Sequence, residues 1–337
     1  MNALVTGGGG FVGRRLVELL LERGDSVRFL ARGKYPEVEA LGAEGIQVDL
    51  RDKDALNGVM EGIDTVFHVA AKAGVWGPYD EYYGINVQGT MNVLDAAENN
   101  GVKRFVYTST PSVVSYTSDI ENGGQDIPYA QSYAAHYPAT KAEAEQMVLT
   151  ANSEHIATCS LRPHLIFGPR DPHLLPRFVE GALKGRLRII GEGTNKVDFT
   201  YVDNVAWAHI DAALALENHL SPCAGKAYFI SNGEPVALWP WFNELLVSLG
   251  EPPLKKRLGH KMAKRIFQAV ECLYRILPLG EPLVTGFLAD AMARSHWYDM
   301  GPAQRDFGYH PRVSMEEAMA PTVQDLSERV VKPFRAS

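Results

Sequence analysis

NALVTGGGGFVGRRLVELLLE, residues 2–22, is the stretch on which the fold turns. Ala3–Val5 is a short apolar run with the character of a buried strand, and Val12–Glu22 carries helical spacing. Between them stand Gly7, Gly8, Gly9 and Gly10, with Gly13 three residues on. Thr6-Gly7-x-x-Gly10-x-x-Gly13 therefore also contains Gly8-x-Gly10-x-x-Gly13. Glycine is needed here for a tight turn, for close backbone approach to a pyrophosphate and for close packing of helix on strand. The helix start that follows offers free N–H donors and a partial positive charge to phosphates. Strand, glycine turn and helix in this order predict a dinucleotide site rather than a structural turn. Gly7, Gly10, Phe11, Val12 and Gly13 are its candidate contacts.

The same rhythm continues outward. Apolar runs at Val27–Leu30, Ile46–Val48, Thr65–Val69, Phe105–Tyr107 and Thr158–Leu161 alternate with helix-period segments such as Val87–Asn99. Continuous apolar strands spaced this way predict an α/β fold, a Rossmann doubly wound parallel sheet buried on both faces. After Gly168 the rhythm breaks up, longer amphipathic segments follow Pro240, and Ala227–Ile230 reads as one more core strand. The expected organisation is a dinucleotide-binding domain over residues 1–167 plus about 197–232. A smaller, discontinuous C-terminal substrate domain would take residues 168–196 and 233–337.

Composition narrows the function classes. At 337 residues, about two domains are expected. Lys plus Arg number 33 against 40 Asp plus Glu, a net charge of −7, and 46% of residues are hydrophobic. Disorder is excluded, and nothing suggests nucleic-acid binding, which calls for a basic excess. Three widely spaced cysteines with no CxxC pair argue against a disulfide framework or a zinc site, so no metal is expected. The N-terminus has no signal-peptide character, and no run of roughly 20 apolar residues occurs. A reducing cytoplasm is the expected home.

An acidic residue at the end of the second strand would select NAD through the ribose 2′-hydroxyl. That strand instead ends in Ala31-Arg32-Gly33-Lys34. Arg32 suits a 2′-phosphate through paired, charge-assisted hydrogen bonds, so NADP(H) is the expected cofactor. Asp49 either accepts from the adenine amino group or simply ends the third strand. Further along, Tyr137-Pro138-Ala139-Thr140-Lys141 puts a phenol and an ammonium on one helix face, near a helix start marked by Pro138. A nearby cation stabilises a phenolate and brings the phenol's pKa toward neutrality. The fifth strand ends in Thr108-Ser109-Thr110-Pro111-Ser112, where ligands bind in open α/β sheets. A hydroxyl there can hold the same substrate oxygen that Tyr137 protonates.

With these residues the chain resembles the extended short-chain dehydrogenase/reductase family. The resemblance adds His68-Val69-Ala70-Ala71, Asn86-Val87-x-Gly89-Thr90-x-Asn92, Arg162-Pro163 with Gly168-Pro169, and Tyr201-Val202-Asp203-Asn204-Val205. It implies Thr110 as the hydroxyl of a Thr–Tyr–Lys triad, with Ser109 as second choice. Leu50, Ala70, Ala71, Lys72 and Pro163 join the implied cofactor contacts. Within the family, Tyr201 to His209 resembles the 3β-hydroxysteroid dehydrogenase branch, and residues 195–200 the sterol-4α-carboxylate 3-dehydrogenases. Ala70–Gly74, Thr108–Val113, Gly225–Pro235, His296–Tyr298 and Arg305–Tyr309 resemble the reductases of bacterial long-chain olefin biosynthesis. That resemblance implies NADPH-dependent reduction of a long-chain β-keto acid, a 2-alkyl-3-oxoalkanoate, with other olefin-biosynthesis enzymes as partners and a homo-oligomeric state. The alternative it leaves open is a 3β-hydroxysteroid or sterol-carboxylate dehydrogenase; a non-catalytic nucleotide sensor is the third reading.

An anionic substrate calls for a cation, and Lys72, Lys196 and Arg170 are the candidates, with His164 and His173 as polar contacts. Met262–Leu279 is basic and amphipathic, with Ile266, Phe267, Val270, Leu273, Tyr274 and Leu277 at helical spacing. It can be an ordinary helix closing the substrate domain, a lid over a long acyl chain, or a helix on a membrane surface.

Overall fold

The computed structural model describes residues 1–74, 76–114, 118–218, 220–276 and 285–336. Seven parallel strands form the main sheet: β1 (Asn2–Thr6), β2 (Ser26–Ala31), β3 (Glu44–Gln47), β4 (Thr65–His68), β5 (Arg104–Thr108), β6 (Ala157–Pro163) and β7 (Lys226–Ile230). Their order is β7-β6-β5-β4-β1-β2-β3, so the chain reverses direction across the sheet between β3 and β4. The C-terminal ends of β1 and β4 meet at that reversal, where doubly wound sheets bind ligands.

Burial on both faces explains the continuous apolar strands. Ala3 and Val5 pack with Leu16 and Leu20 of the helix Phe11–Glu22 on one face. Leu4, between them, points to the other face, into a cluster with Val93, Leu94 and Phe105. The glycine turn follows from close approach. A Cβ on Gly13 would lie 2.2 Å from the Gly7 carbonyl oxygen, and Gly7 has a left-handed φ of 71°. Helix and strand can therefore touch only through glycine at these positions.

The remaining chain builds a second apolar core around Phe167, Phe199, Trp239, Trp241 and Phe242. Four short strands form its sheet, in the order Val236–Ala237, Lys196–Val197, His296–Tyr298 and Ile120–Gly123. Ile120–Gly123 comes from the N-terminal half, a contribution the sequence reading did not anticipate. Residues near the C-terminus return to the main core: Ala303, Phe307 and Tyr309 pack with Tyr228 and Phe229 of β7. The Tyr201–Val205 motif explains part of this return. Asn204 accepts from the backbone N–H groups of Arg312 (2.8 Å) and Val313 (3.0 Å) and donates to the side chain of Asn232. Arg15 of the first helix forks onto Asp203 at 2.9 and 3.0 Å. The helix Val87–Asn99 of the sequence reading is π-helical over Tyr83–Gln88 and α-helical over Gly89–Asn99.

Candidate active site

Two cavities meet along the C-terminal edge of the main sheet. The first, of about 880 Å³, runs from the glycine turn to the helix His136–Thr150. Gly7, Gly10, Phe11, Val12 and Gly13 line one part of it, and Arg32, Asp49 and Leu50 lie beyond the ends of β2 and β3. Ala70, Ala71 and Lys72 follow β4, Ser109 and Thr110 follow β5, and Tyr137, Lys141 and Pro163 also line it. Its phosphate-sized end has the right chemistry. The first helix begins at Gly10 with no side chain capping it, and glycine leaves the space that a Cβ would fill.

A buried polar network shapes this cleft. The Thr6 hydroxyl accepts from the N–H groups of Val69 (3.1 Å) and Ala70 (3.0 Å) and bonds His68 Nδ1 at 2.8 Å. Burial, with the Lys141 charge nearby, presses His68 down to about 3, so it is neutral. Asn86 accepts from the Lys72 N–H at 2.8 Å and donates to the Thr140 hydroxyl at 3.0 Å. It thereby ties the loop after β4 to the helix that carries Tyr137. Leu165, Ile166 and Asp171–Leu174 also line the cleft, which the sequence reading missed apart from His173. Asp171 accepts from three successive N–H groups, of His173, Leu174 and Leu175, at 2.8–3.0 Å, and so sets the start of the helix Leu174–Leu183.

The second cavity, of about 1010 Å³, is bounded by Thr110, Tyr129, Tyr133, His164 and His296 on one side. Lys264, Gln268, Phe287, Leu288 and Arg294 are among its other lining residues. Thr110, Pro163 and Leu165 line both cavities, whereas Ser109 lines only the cofactor-sized one. Thr110 is therefore the hydroxyl that a molecule in either space can reach. Burial pushes the Tyr137 phenol up to about 12, against a lowering influence of the Thr110 hydroxyl.

Lys141 is buried, and its ammonium donates to the Thr108 carbonyl at 2.5 Å and lies 4.0 Å from the centre of the Tyr107 ring. Burial lowers its pKa to about 7, against the attraction of Glu145. The sequence reading expects Lys141 to lower the tyrosine's pKa. In this arrangement the ammonium is engaged elsewhere, and the phenol stands above its ordinary value. Beneath Lys141, Glu145 is wholly buried in a fork from Arg162, with Ser160 and Tyr129 donating at 2.8 and 2.7 Å. Burial opposes its charge, yet Arg162 holds it below the usual carboxylate value. Its one sequence signal is spacing: 137, 141 and 145 share a helix face.

The cations nominated for the substrate carboxylate lie elsewhere. Arg170 forks onto Glu18 at 2.7 and 2.9 Å and lines neither cavity. Lys196 is exposed on the small sheet and also lines neither. Lys72 lines the cofactor-sized cleft but pairs with Glu81 at 2.7 Å. For Arg170 the sequence shows that a cation exists, while the carboxylate that occupies it lies 152 residues away. His164 does line the larger cavity, with Nδ1 on Asp198 at 2.5 Å and Nε2 against His296 Nδ1 at 2.9 Å. The cations in that wall are Lys264, paired with Asp290 at 2.7 Å, and Arg294.

Residues 4–260 match the 3-beta hydroxysteroid dehydrogenase/isomerase family. The chain belongs to that family. It is 50% identical over 322 residues to the 2-alkyl-3-oxoalkanoate reductase of Stenotrophomonas maltophilia, covering 95% of this chain and 97% of the relative. The sterol-4-alpha-carboxylate 3-dehydrogenase (decarboxylating) of Mus musculus is more distant, 36% identical over 334 residues, with 96% and 90% covered. Among solved structures, a dTDP-glucose 4,6-dehydratase from Streptomyces venezuelae with NAD bound superposes with a TM-score of 0.75 at 25% identity, covering 99% of this chain and all of the other.

Proposed function

We propose that this protein reduces the ketone of a 2-alkyl-3-oxoalkanoic acid to the 2-alkyl-3-hydroxyalkanoic acid with NADPH, in a reaction reversible in principle. It is an oxidoreductase of the CH–OH group. One observation carries the reading: Thr110 stands where the two cavities join, and Tyr137 lines the cofactor-sized cleft with it, with Lys141 one helical turn on. A nucleotide sensor has no need of that arrangement. The 50% identical relative supports the substrate class.

Bound NADPH supplies the hydride. The residues of this chain do the rest. The glycine turn and the helix start at Phe11 would take the pyrophosphate, and Arg32 the 2′-phosphate. Thr110 aligns the carbonyl oxygen, and Tyr137 gives it a proton as the alkoxide develops. Lys141, one helical turn on and held on the Thr108 carbonyl, supplies positive charge near them in its protonated form. A β-keto acid loses CO₂ readily, and reduction of the ketone traps the carboxylate. The same reading places the enzyme, as a cytoplasmic homo-oligomer, among the condensing, ligase-type and decarboxylating enzymes of long-chain olefin synthesis.

The test is NADP⁺ reduction across long-chain 2-alkyl-3-hydroxy acids and 3β-hydroxysteroids. Turnover of the acids is expected; steroid turnover without acid turnover overturns the reading in favour of the sterol alternative. Arg32→Ala should weaken NADPH binding by about tenfold to a hundredfold, from roughly 1.5–3 kcal/mol of hydrogen bonding to a charged group, with NADH little affected. Fluorescence titration of both cofactors checks it, and tighter NADH binding by the unaltered protein refutes the NADP assignment. Lys264→Met should raise KM for the acid several-fold and leave kcat nearly unchanged, because a carboxylate contact made equally in both states is lost. Steady-state kinetics with the 2-alkyl-3-oxo acid decides this.

A further inference from the structure

The helix His260–Ile276 has more apolar surface than the fold covers. At 100° per residue, Met262, Ile266 and Leu273 fall within one narrow sector of it. Their exposures are 54, 43 and 49%, which makes them three of the seven large apolar residues at least 43% exposed among the described residues. The fold occupies the helix's other sides. Ala263 and Phe267 join the second core, while Lys264, Gln268, Glu271 and Cys272 line the larger cavity. Leu277–Leu279, which the sequence reading joins to this segment, lie outside the described residues.

We propose that this stripe rests in the surface of an anionic lipid bilayer, so that one helix touches the membrane on one side and the substrate cavity on another. Charge selects the occupant. Residues 255–271 hold six cations, Lys255, Lys256, Arg257, Lys261, Lys264 and Arg265, against one acid, Glu271, in a chain whose net charge is −7. Of these, Lys255, Lys256, Arg257, Lys261 and Arg265 are exposed. An apolar stripe with basic flanks matches acyl chains below anionic headgroups. A second copy matches it poorly, because a two-fold contact through this face brings like charges together. Among the described residues no helix is long and apolar enough to cross a membrane, so the seat lies in the plane of the surface. With the long-chain substrate proposed above, the helix places the cavity wall where such a chain is dissolved.

The experiment needs no substrate, so its outcome is independent of the proposed reaction. The full chain is sedimented with phosphatidylcholine vesicles and with vesicles that also contain phosphatidylglycerol. Partition into the anionic vesicles is expected, with release at high salt. The combined substitution Met262→Ser, Ile266→Ser and Leu273→Ser should lower that partition about tenfold or more while Tm and NADPH affinity stay unchanged. Absence of partition, or partition that the triple substitution leaves intact, overturns the proposal. So does a wild-type oligomer that the triple substitution dissociates, since a second copy then covers the face.

Discussion

Tyr137→Phe is expected to lower kcat by about 10²–10⁴-fold, the range that a positioned general acid contributes, and to leave NADPH binding near its original strength. The geometry separates the two effects. Tyr137 lines the cofactor-sized cleft together with Thr110, which also lines the second cavity, whereas the glycine turn and Arg32 line other parts of that cleft. Removing one oxygen deletes the proton donor and little else. Because burial holds Tyr137 at about 12, the phenol keeps its proton throughout the neutral range. An ultraviolet difference titration of the unliganded wild type against Tyr137→Phe should therefore show no phenolate from this residue until the pH nears that value. Single-turnover kinetics with the 2-alkyl-3-oxo acid measures the loss. Retention of more than about a tenth of the rate would show that another group gives the proton.

What the sequence reveals and what it hides differ by the range of the interactions. The glycine turn is legible because Gly7 and Gly13 act on each other within seven residues, and Tyr137 and Lys141 share one helix turn. The strands are legible because burial on both faces makes each a continuous apolar run, as in Ala3–Val5. Pairings between distant segments are not. Nothing near Arg170 announces Glu18, 152 residues away, and nothing near Ile120–Gly123 announces its partner strand His296–Tyr298. Lys264 escaped for the same reason, since which face of its helix meets the cavity depends on how residues 285–294 pack against it. The Lys141 ammonium shows a further limit. Its position in the motif is plain, but its contact with the Thr108 carbonyl is set by the end of β5.

Glu145→Leu should cost about 3–5 kcal/mol of stability, the usual penalty for stripping one partner from a buried ion pair. Arg162 is left with its charge in the core and no carboxylate, and Ser160 and Tyr129 lose the acceptor they share. At roughly 2–4 °C per kcal/mol the melting temperature should fall by at least about 5 °C. Replacing both partners, Glu145→Leu with Arg162→Met, removes the stranded charge along with its partner, so the double variant should be more stable than Glu145→Leu alone. The pH dependence has a definite sign. Arg162 holds the folded pKa of Glu145 below the ordinary 4.5, so the stabilisation is complete above that value and is lost as pH falls through the folded one. The difference in melting temperature between wild type and Glu145→Leu should therefore narrow in acid. The effect also reaches the site. Glu145 is the carboxylate that supports the charge on Lys141 from beneath, and without it the lysine's pKa drops further below about 7. The acid-to-base midpoint of kcat assigned to Lys141 should then shift downward in Glu145→Leu, while Glu145→Gln, which preserves shape but not charge, should shift it in the same direction. A midpoint that stays in place in both variants would confine Glu145 to holding the fold together.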